Sequence, residues 1–321
     1  MSLLRLLEDK HFNRLTNEKI FALAETNQSF CQQWLIHVFR SESSVEELFM
    51  AVAYCLKHNS PILEQLNLIF SGQTFEALPE DVYQEALNLV VKNLPSVNRD
   101  KVLRSALPLL AFVHYCPVLE ALSQDIRFGA SQIDIDVFTN IKTQFDQNLQ
   151  KVTLFGSQGQ GSRDSSIRNN SQYFASIPND NVSLALVERA LANSSGISIR
   201  HAEPPVILRY LPGQFYHWHY DYIYPHTADI ERQINQFGQR IKTGIYYLND
   251  DFTGGETEFK TPHVSIPPKK NHMLIFDNAS QGKPIKNSIH RGAEVASGEK
   301  WIMTLWFRDK PFWLRSGLMS Y

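Results

Sequence analysis

The sequence predicts an α+β protein in two parts, a helical N-terminal half and a strand-rich C-terminal half of sandwich or jelly-roll type. Three observations carry that expectation. From residue 2 to about 123, apolar residues recur at intervals of three and four, the period of helices with one buried face. Past residue 124 the apolar runs become short and alternating or continuous, as in strands. Gly- and Pro-bearing turns separate those runs. The expected domains are therefore 1–123, all helical, and 124–321. A chain of 321 residues that is 43% hydrophobic can bury a core in each.

In the first half, Ser44 and Glu47 have capping-box spacing ahead of a stripe through Phe49, Val52 and Ala53. Pro61 suits a first helical turn and Gly72 a helix end. Pro79 opens a helix that holds Val82, Leu87, Val90 and Val91 and stops near Pro95. Another helix runs from about Val97 to Tyr115, and Pro108 is expected to kink or divide it. Six to eight short helices packed as hairpins follow from this punctuation, with no convincing repeat period.

In the second half, Ile133, Ile135 and Val137 alternate with Asp134 and Asp136, a strand period. Glu188 to Ala192 reads as helix. Val206 to Tyr210, Thr243 to Leu248 and His272 to Phe276 read as strands. The stretch from Gly156 to Ser171, rich in Gly, Ser, Asn and Gln, reads as a loop.

Composition excludes several classes of function. Lys and Arg number 31 against 33 Asp and Glu, and neither half carries a one-signed excess, so no nucleic-acid partner is expected. No stretch reaches the ~20 apolar residues of a membrane span. Glu8 and Asp9 interrupt the first apolar run before signal-peptide length. Cys31, Cys55 and Cys116, an odd number without CxxC spacing, read as thiols of a reducing compartment. A cytoplasmic protein without a membrane partner is the expectation.

The chemistry concentrates in Arg209 to Tyr222, RYLPGQFYHWHYDY. Residues two apart on a strand share a face, so His219 and Asp221 present an imidazole and a carboxylate together, two corners of a site for a divalent first-row metal. His290 is the best candidate for a third ligand. An alternative HxHxD face of His217, His219 and Asp221 would leave His290 without a role. Lys300 stands ten residues beyond His290 among Trp301, Ile302, Met303, Leu305 and Trp306. A lysine in such a wall is costly to bury without an anion, which suits a dicarboxylic cosubstrate chelating the metal at its other end.

The pattern YxxGxxYxxHxDY at Tyr210, Gly213, Tyr216, His219, Asp221 and Tyr222 continues with YLND at Tyr247 to Asp250 and GGETEF at Gly254 to Phe259. With RDSSIRNNSQYF at Arg163 to Phe174 and a His followed ten residues later by Lys, it resembles the iron(II)- and 2-oxoglutarate-dependent prolyl 4-hydroxylase family over roughly residues 124 to 310. The resemblance implies a double-stranded β-helix of jelly-roll type as the catalytic domain. It makes His219, Asp221 and His290 the Fe(II) ligands. Lys300, with hydroxyls of Tyr210 and Thr257, would hold the far carboxylate of 2-oxoglutarate. Tyr216, Arg240 and Trp306 fall where the family surrounds the substrate proline. The implied reaction consumes O2 and 2-oxoglutarate, releases succinate and carbon dioxide and hydroxylates a C–H bond, with ascorbate as an accessory.

The expected substrate is a peptide or protein containing proline. By analogy with two-domain collagen hydroxylases, the helical half would hold a protein substrate or partner. The rivals are a hydroxylase of another side chain or of a small molecule, and a non-catalytic interaction module on the same fold. His226, His263 and His272 read as surface or packing residues, Asp250 and Asp251 as a turn, and Phe312 and Trp313 as core or interdomain contacts. Oligomeric state has no signature in the chain.

Overall fold

A computed structural model describes residues 17–40, 43–70, 80–131, 133, 137–151, 166–175 and 181–312. Gly72, Pro79, Asp134, Ile135, Asp136, Trp313, most of the Gly156–Ser171 loop and the side chain of Val82 lie outside the described residues.

Up to His114 the described residues form six helices: α1 (Asn17–Thr26), α2 (Gln28–Arg40), α3 (Val45–Lys57), α4 (Pro61–Phe70), α5 (Glu80–Asn93) and α6 (Arg99–His114). Ser44 accepts the backbone N–H of Glu47 at 3.2 Å, so the cap read from the sequence does start α3. Leu48 to Cys55 of that helix are all buried, which makes α3 the centre of the bundle. Pro61 opens α4. Asn98 caps α6, accepting from the Lys101 N–H at 3.1 Å. This helix runs through Pro108 undivided, so of the two expected outcomes division does not occur. Pro108 removes one backbone donor, but Ala106, Leu109, Leu110 and Phe112 are buried around it, and their burial holds the helix together across the gap.

The second half is built on antiparallel strands. In chain order they are β1 (Glu120–Ala121), β2 (Ile126–Ala130), β3 (Gln150–Lys151), β4 (Ser171–Phe174), β5 (Val206–Tyr210), β6 (Tyr216–His219), β7 (Arg240–Tyr247) and β8 (Thr253–Gly254). Then follow β9 (Thr257–Phe259), β10 (Ser265–Ile266), β11 (His272–Asp277), β12 (Ala279–Ser280), β13 (Lys283–Pro284), β14 (His290–Gly292), β15 (Val295–Ser297) and β16 (Lys300–Arg308). Three helices accompany them: α7 (Val137–Phe145), α8 (Val182–Ser195) and α9 (Ala228–Phe237). The strand expected over Ile133 to Val137 is corrected at its end. Val137 begins α7, because Val137, Ile141 and Phe145 at intervals of four bury one helical face.

A large sheet has the order β1-β2-β11-β7-β16-β5-β4-β3 and a small one the order β10-β9-β14-β6. Alternation along the central strands divides the core in two. Val206, Leu208, Tyr210, Ile245, Tyr247, Ile302 and Trp306 pack with Phe259 and Ile266 of the small sheet, between the sheets. Ile207, Tyr246, Met303, Leu305 and Phe307 point the other way, into a core shared with α8 and all six N-terminal helices. Helix α8 is buried on nearly every side, including Glu188 and Arg189. Gly244 of β7 permits its close approach: a Cβ there would lie 3.1 Å from Leu191. No described helix is long and apolar enough to cross a membrane.

Candidate active site

Two strands and a bend meet between the sheets. His219 ends β6, His290 begins β14, and the two are paired across the small sheet. Gly292 pairs with Tyr216, so His217 and Trp218 together oppose the single residue Arg291. This β-bulge turns Tyr216 and His219 to the same side, where their rings stack with centroids 3.5 Å apart. It also leaves His217 exposed, away from the cavity, so the HxHxD face is not formed. Asp221 does join His219, although not through strand alternation: it lies in a bend past the end of β6.

The ligand atoms of His219, Asp221 and His290 all lie within 4.8 Å of one another. His219 Nε2 is 3.7 Å from Asp221 Oδ1, and His290 Nε2 is 3.8 Å from Asp221 Oδ2. Each imidazole is oriented from behind. Nδ1–H of His219 donates to the His217 carbonyl at 2.7 Å and Nδ1–H of His290 to the Ser288 carbonyl at 2.9 Å. Both rings therefore turn Nε2 inward, the arrangement that metal-binding histidines adopt. Burial, with His290 alongside, holds the His219 imidazole well below its usual range, so its Nε2 lone pair is free at neutral pH. Burial works to raise Asp221, but His290, His219, Arg240 and the Thr243 hydroxyl outweigh it and hold the carboxyl at about 2. Two inward nitrogens and one ionised carboxylate fit a divalent iron with open coordination positions.

The same cavity is lined by Lys300, Tyr210 and Thr257. Lys300 is 2% exposed and faces inward with Ile302, Thr304 and Trp306. Its Nζ donates to the Gly255 carbonyl at 2.7 Å and stands 5.2 Å from the Tyr210 ring centroid and 5.8 Å from that of Tyr247. Among the described residues no carboxylate forms an ion pair with it. Burial, only partly opposed by Glu256, lowers its pKa to about 8. Gly255 makes the approach possible, with φ of +71° and no Cβ to crowd the lysine stem. The Tyr247 hydroxyl donates to Thr257 Oγ1 at 2.7 Å, completing a polar end to the cavity.

Of the three remaining expected residues, Tyr216 and Trp306 line the same cavity, and Arg240 does not line it but packs on Trp306. Tyr216 is covered by the Arg168 guanidinium, 4.3 Å from its ring centroid, and burial pushes its phenol up to about 12. Trp306 lines the cavity, and its Nε1–H has no hydrogen-bond partner among the described residues. Arg240 lies 3.8 Å over the Trp306 ring and donates twice to Glu203, at 2.6 and 2.7 Å. Glu203 also accepts from Arg308 Nε at 2.5 Å. Burial works against the Glu203 charge, yet the two guanidinium groups keep its carboxyl below the ordinary range.

Residues 205–308 match the 2OG-Fe(II) oxygenase superfamily. The chain belongs to this superfamily. It is 36% identical over 138 residues to prolyl 4-hydroxylase 1 of Arabidopsis thaliana, covering 39% of this chain and 47% of that protein. It is 30% identical over 185 residues to prolyl 4-hydroxylase 5 of the same plant, covering 51% and 62%. The chain thus spans between about half and two thirds of the length of the curated relatives it matches. Among solved structures it aligns with a viral collagen prolyl hydroxylase from Paramecium Bursaria Chlorella virus-1. The TM-score is 0.43 and the identity 23%, over 58% of this chain and 96% of that one.

Sequence reasoning did not single out Arg168, Glu203, Thr243, Tyr247 or Asn278. Arg168 and Tyr247 fall inside quoted segments, RDSSIRNNSQYF and YLND, which is the signal that could have found them. Thr243 and Asn278 join the site only through the pairing of β7 with β11, and no local pattern marks them.

Proposed function

We propose that the protein is an Fe(II)- and 2-oxoglutarate-dependent dioxygenase that hydroxylates a prolyl residue in a peptide or protein. The observation that carries this reading is Lys300: a buried ammonium without an anionic partner among the described residues, in the same cavity as two imidazoles and a carboxylate. A buried cation of that kind needs an anion, and a keto diacid supplies one while its other end reaches the metal. His219, Asp221 and His290 would hold the iron, and Lys300 with Tyr210 and Thr257 would hold the distal carboxylate. When bound, iron with 2-oxoglutarate and O2 supplies the oxidation, yielding succinate, carbon dioxide and a hydroxylated carbon.

The chain's own part is to orient the substrate and exclude water. Trp306 offers an unpartnered indole N–H to a substrate carbonyl, and Arg240 stacks behind it to fix the ring. Tyr216, stacked on His219, walls the same side. The proline specificity is supported by the names of the plant relatives and by the prolyl-hydroxylase pattern in the sequence. Ascorbate is proposed as a reductant that keeps the iron ferrous. The helical half is proposed to brace α8, which its helices α2 and α6 contact. The test is 2-oxoglutarate turnover with proline-rich peptides and with free amino acids, followed by mass spectrometry. A gain of one oxygen on a peptidyl proline is expected; product on free amino acids alone would reject the peptide substrate.

A further inference from the structure

We propose that Asn278 and Thr243 form a hydrogen-bond relay that fixes the Asp221 carboxylate as a metal ligand and thereby sets the metal affinity of the site. The inference rests on the iron-binding reading above and adds two positioning residues to it.

The relay is short and dry. The Thr243 hydroxyl donates to Asp221 Oδ2 at 2.7 Å, and Asn278 Nδ2–H donates to Thr243 Oγ1 at 2.7 Å. Thr243 and Asn278 are both 0% exposed. A hydroxyl carries one proton and can rotate. With the Asn278 amide occupying its acceptor side, the Thr243 proton has one place to go, the Asp221 carboxylate.

Each member of the relay is held by elements other than the one that carries Asp221. Thr243 stands in β7, opposite Trp306 of β16 and Phe276 of β11, in the interior of the large sheet. Asn278 follows β11. Its backbone N–H donates to the Ile241 carbonyl at 2.8 Å, and its own carbonyl accepts from the Ile285 N–H at 2.9 Å. Asp221, by contrast, lies in a bend beyond the small sheet, where no strand pleat sets its side-chain direction. The relay ties that carboxylate across the gap to the rigid sheet. It engages Oδ2 and leaves Oδ1 with its lone pairs, 3.7 Å from His219 Nε2.

One further observation points the same way. Asn278 Oδ1 is buried without a partner among the described residues. A buried orphan acceptor is costly, and apolar residues of similar size would avoid it. The site retains an amide that makes one side-chain bond, the one that orients Thr243.

The test is anaerobic titration of the full chain with Fe(II), and with Co(II) as a coloured substitute, for the wild type, Thr243→Val, Thr243→Ser, Asn278→Leu and the Val/Leu double variant. Loss of a hydrogen bond to a metal ligand typically weakens binding about 10- to 100-fold. Thr243→Val should show a loss of that size and a shifted Co(II) visible spectrum, and Thr243→Ser should restore both. Asn278→Leu should weaken binding by a smaller factor, and the double variant should be no weaker than Thr243→Val alone. Wild-type affinity in Thr243→Val, equal losses in Val and Ser, or additive losses in the double variant would overturn the relay. Should Thr243→Val lose its thermal unfolding transition, Asn278→Leu decides: unchanged metal affinity there also overturns it. A wild type that binds neither metal overturns the iron-binding reading itself, whereas a binding wild type with indifferent variants overturns the relay alone.

Discussion

Lys300 Nζ donates to the carbonyl oxygen of Gly255 at 2.7 Å, inside the cavity that His219, Asp221 and His290 also line. The ammonium is therefore poised and underpaired, and its titration reports on the pocket. Folded, it loses its proton at about 8, against about 10.4 for a free lysine. Between those values the unfolded chain binds a proton that the folded chain does not, so stability rises with pH across this window, by about 3 kcal/mol in total. Below about 8 the cost of the buried charge is fully present. Lys300→Met should raise the pH 7 melting temperature and flatten the slope between pH 8 and 10, measured as the difference from wild type. The dependence on 2-oxoglutarate runs oppositely: its affinity should fall as pH rises through 8, because the neutral amine no longer pairs with a carboxylate.

Asn193 of α8 donates its amide to the carbonyls of Tyr115 at 2.8 Å and Val113 at 3.1 Å, closing the C-terminal end of α6. Arg189 does the same for α2, donating to the Phe39 carbonyl at 2.8 Å. Helix ends leave such carbonyls without partners, so these side chains bind the two halves of the chain through polar bonds as well as through a common core. Asn193→Leu is expected to cost about 2 kcal/mol and to lower the melting temperature without altering metal affinity. Expression of residues 116–321 alone should give aggregated protein, since the outer face of α8 would be uncovered. A soluble fragment with full activity would contradict this.

The buried trio of Arg240, Glu203 and Arg308 carries two cations on one carboxylate. Glu203→Gln leaves both guanidinium groups without a charge partner and should destabilise the fold by about 3 kcal/mol or more. Because the Glu203 carboxyl is held below its unfolded value, its contribution is present above about pH 4.3 and lost as pH falls through the lower folded value. Urea unfolding of wild type and variant between pH 3 and pH 7 checks this: the gap between them should narrow on acidification.

Trp306→Phe keeps an aromatic ring under Arg240 and removes the indole N–H. If that donor meets a substrate carbonyl, kcat/KM for a peptide should fall about tenfold, the worth of one hydrogen bond, while Fe(II) and 2-oxoglutarate affinities stay unchanged. Steady-state kinetics with a proline-rich peptide separates these quantities. An unaltered kcat/KM would remove Trp306 Nε1 from substrate binding.

Much of the fold is legible in the sequence where local periodicity and burial agree. Val206 to Tyr210 matches β5 residue for residue, and the Ser44 cap starts α3 as its spacing implies. The failures have physical causes. Val137 follows an alternating run but is claimed by Ile141 and Phe145 on the next helix. Pro108 lies inside a helix that the buried residues around it keep in one piece, so division, one of the two outcomes its missing N–H suggests, is absent. At the site, spacing and resemblance mark His219, Asp221 and His290, and its apolar neighbours mark Lys300. His217 shares the strand period with His219, and a place in the pocket lining is expected of it; a β-bulge that leaves no local trace changes the alternation, so it is exposed and does not line the cavity. Glu203, Thr243 and Asn278 act through pairings between distant strands, which a linear pattern does not encode.

Anaerobic calorimetry of the full chain with Fe(II) and 2-oxoglutarate tests whether two imidazoles and one carboxylate hold an iron that a keto diacid then chelates. One equivalent of Fe(II) bound, tight 2-oxoglutarate binding only in its presence, a visible charge-transfer band in the ternary complex, and loss of all three in Asp221→Ala are expected. Equal 2-oxoglutarate binding with and without iron, or an Asp221→Ala variant that titrates like wild type, would contradict that arrangement.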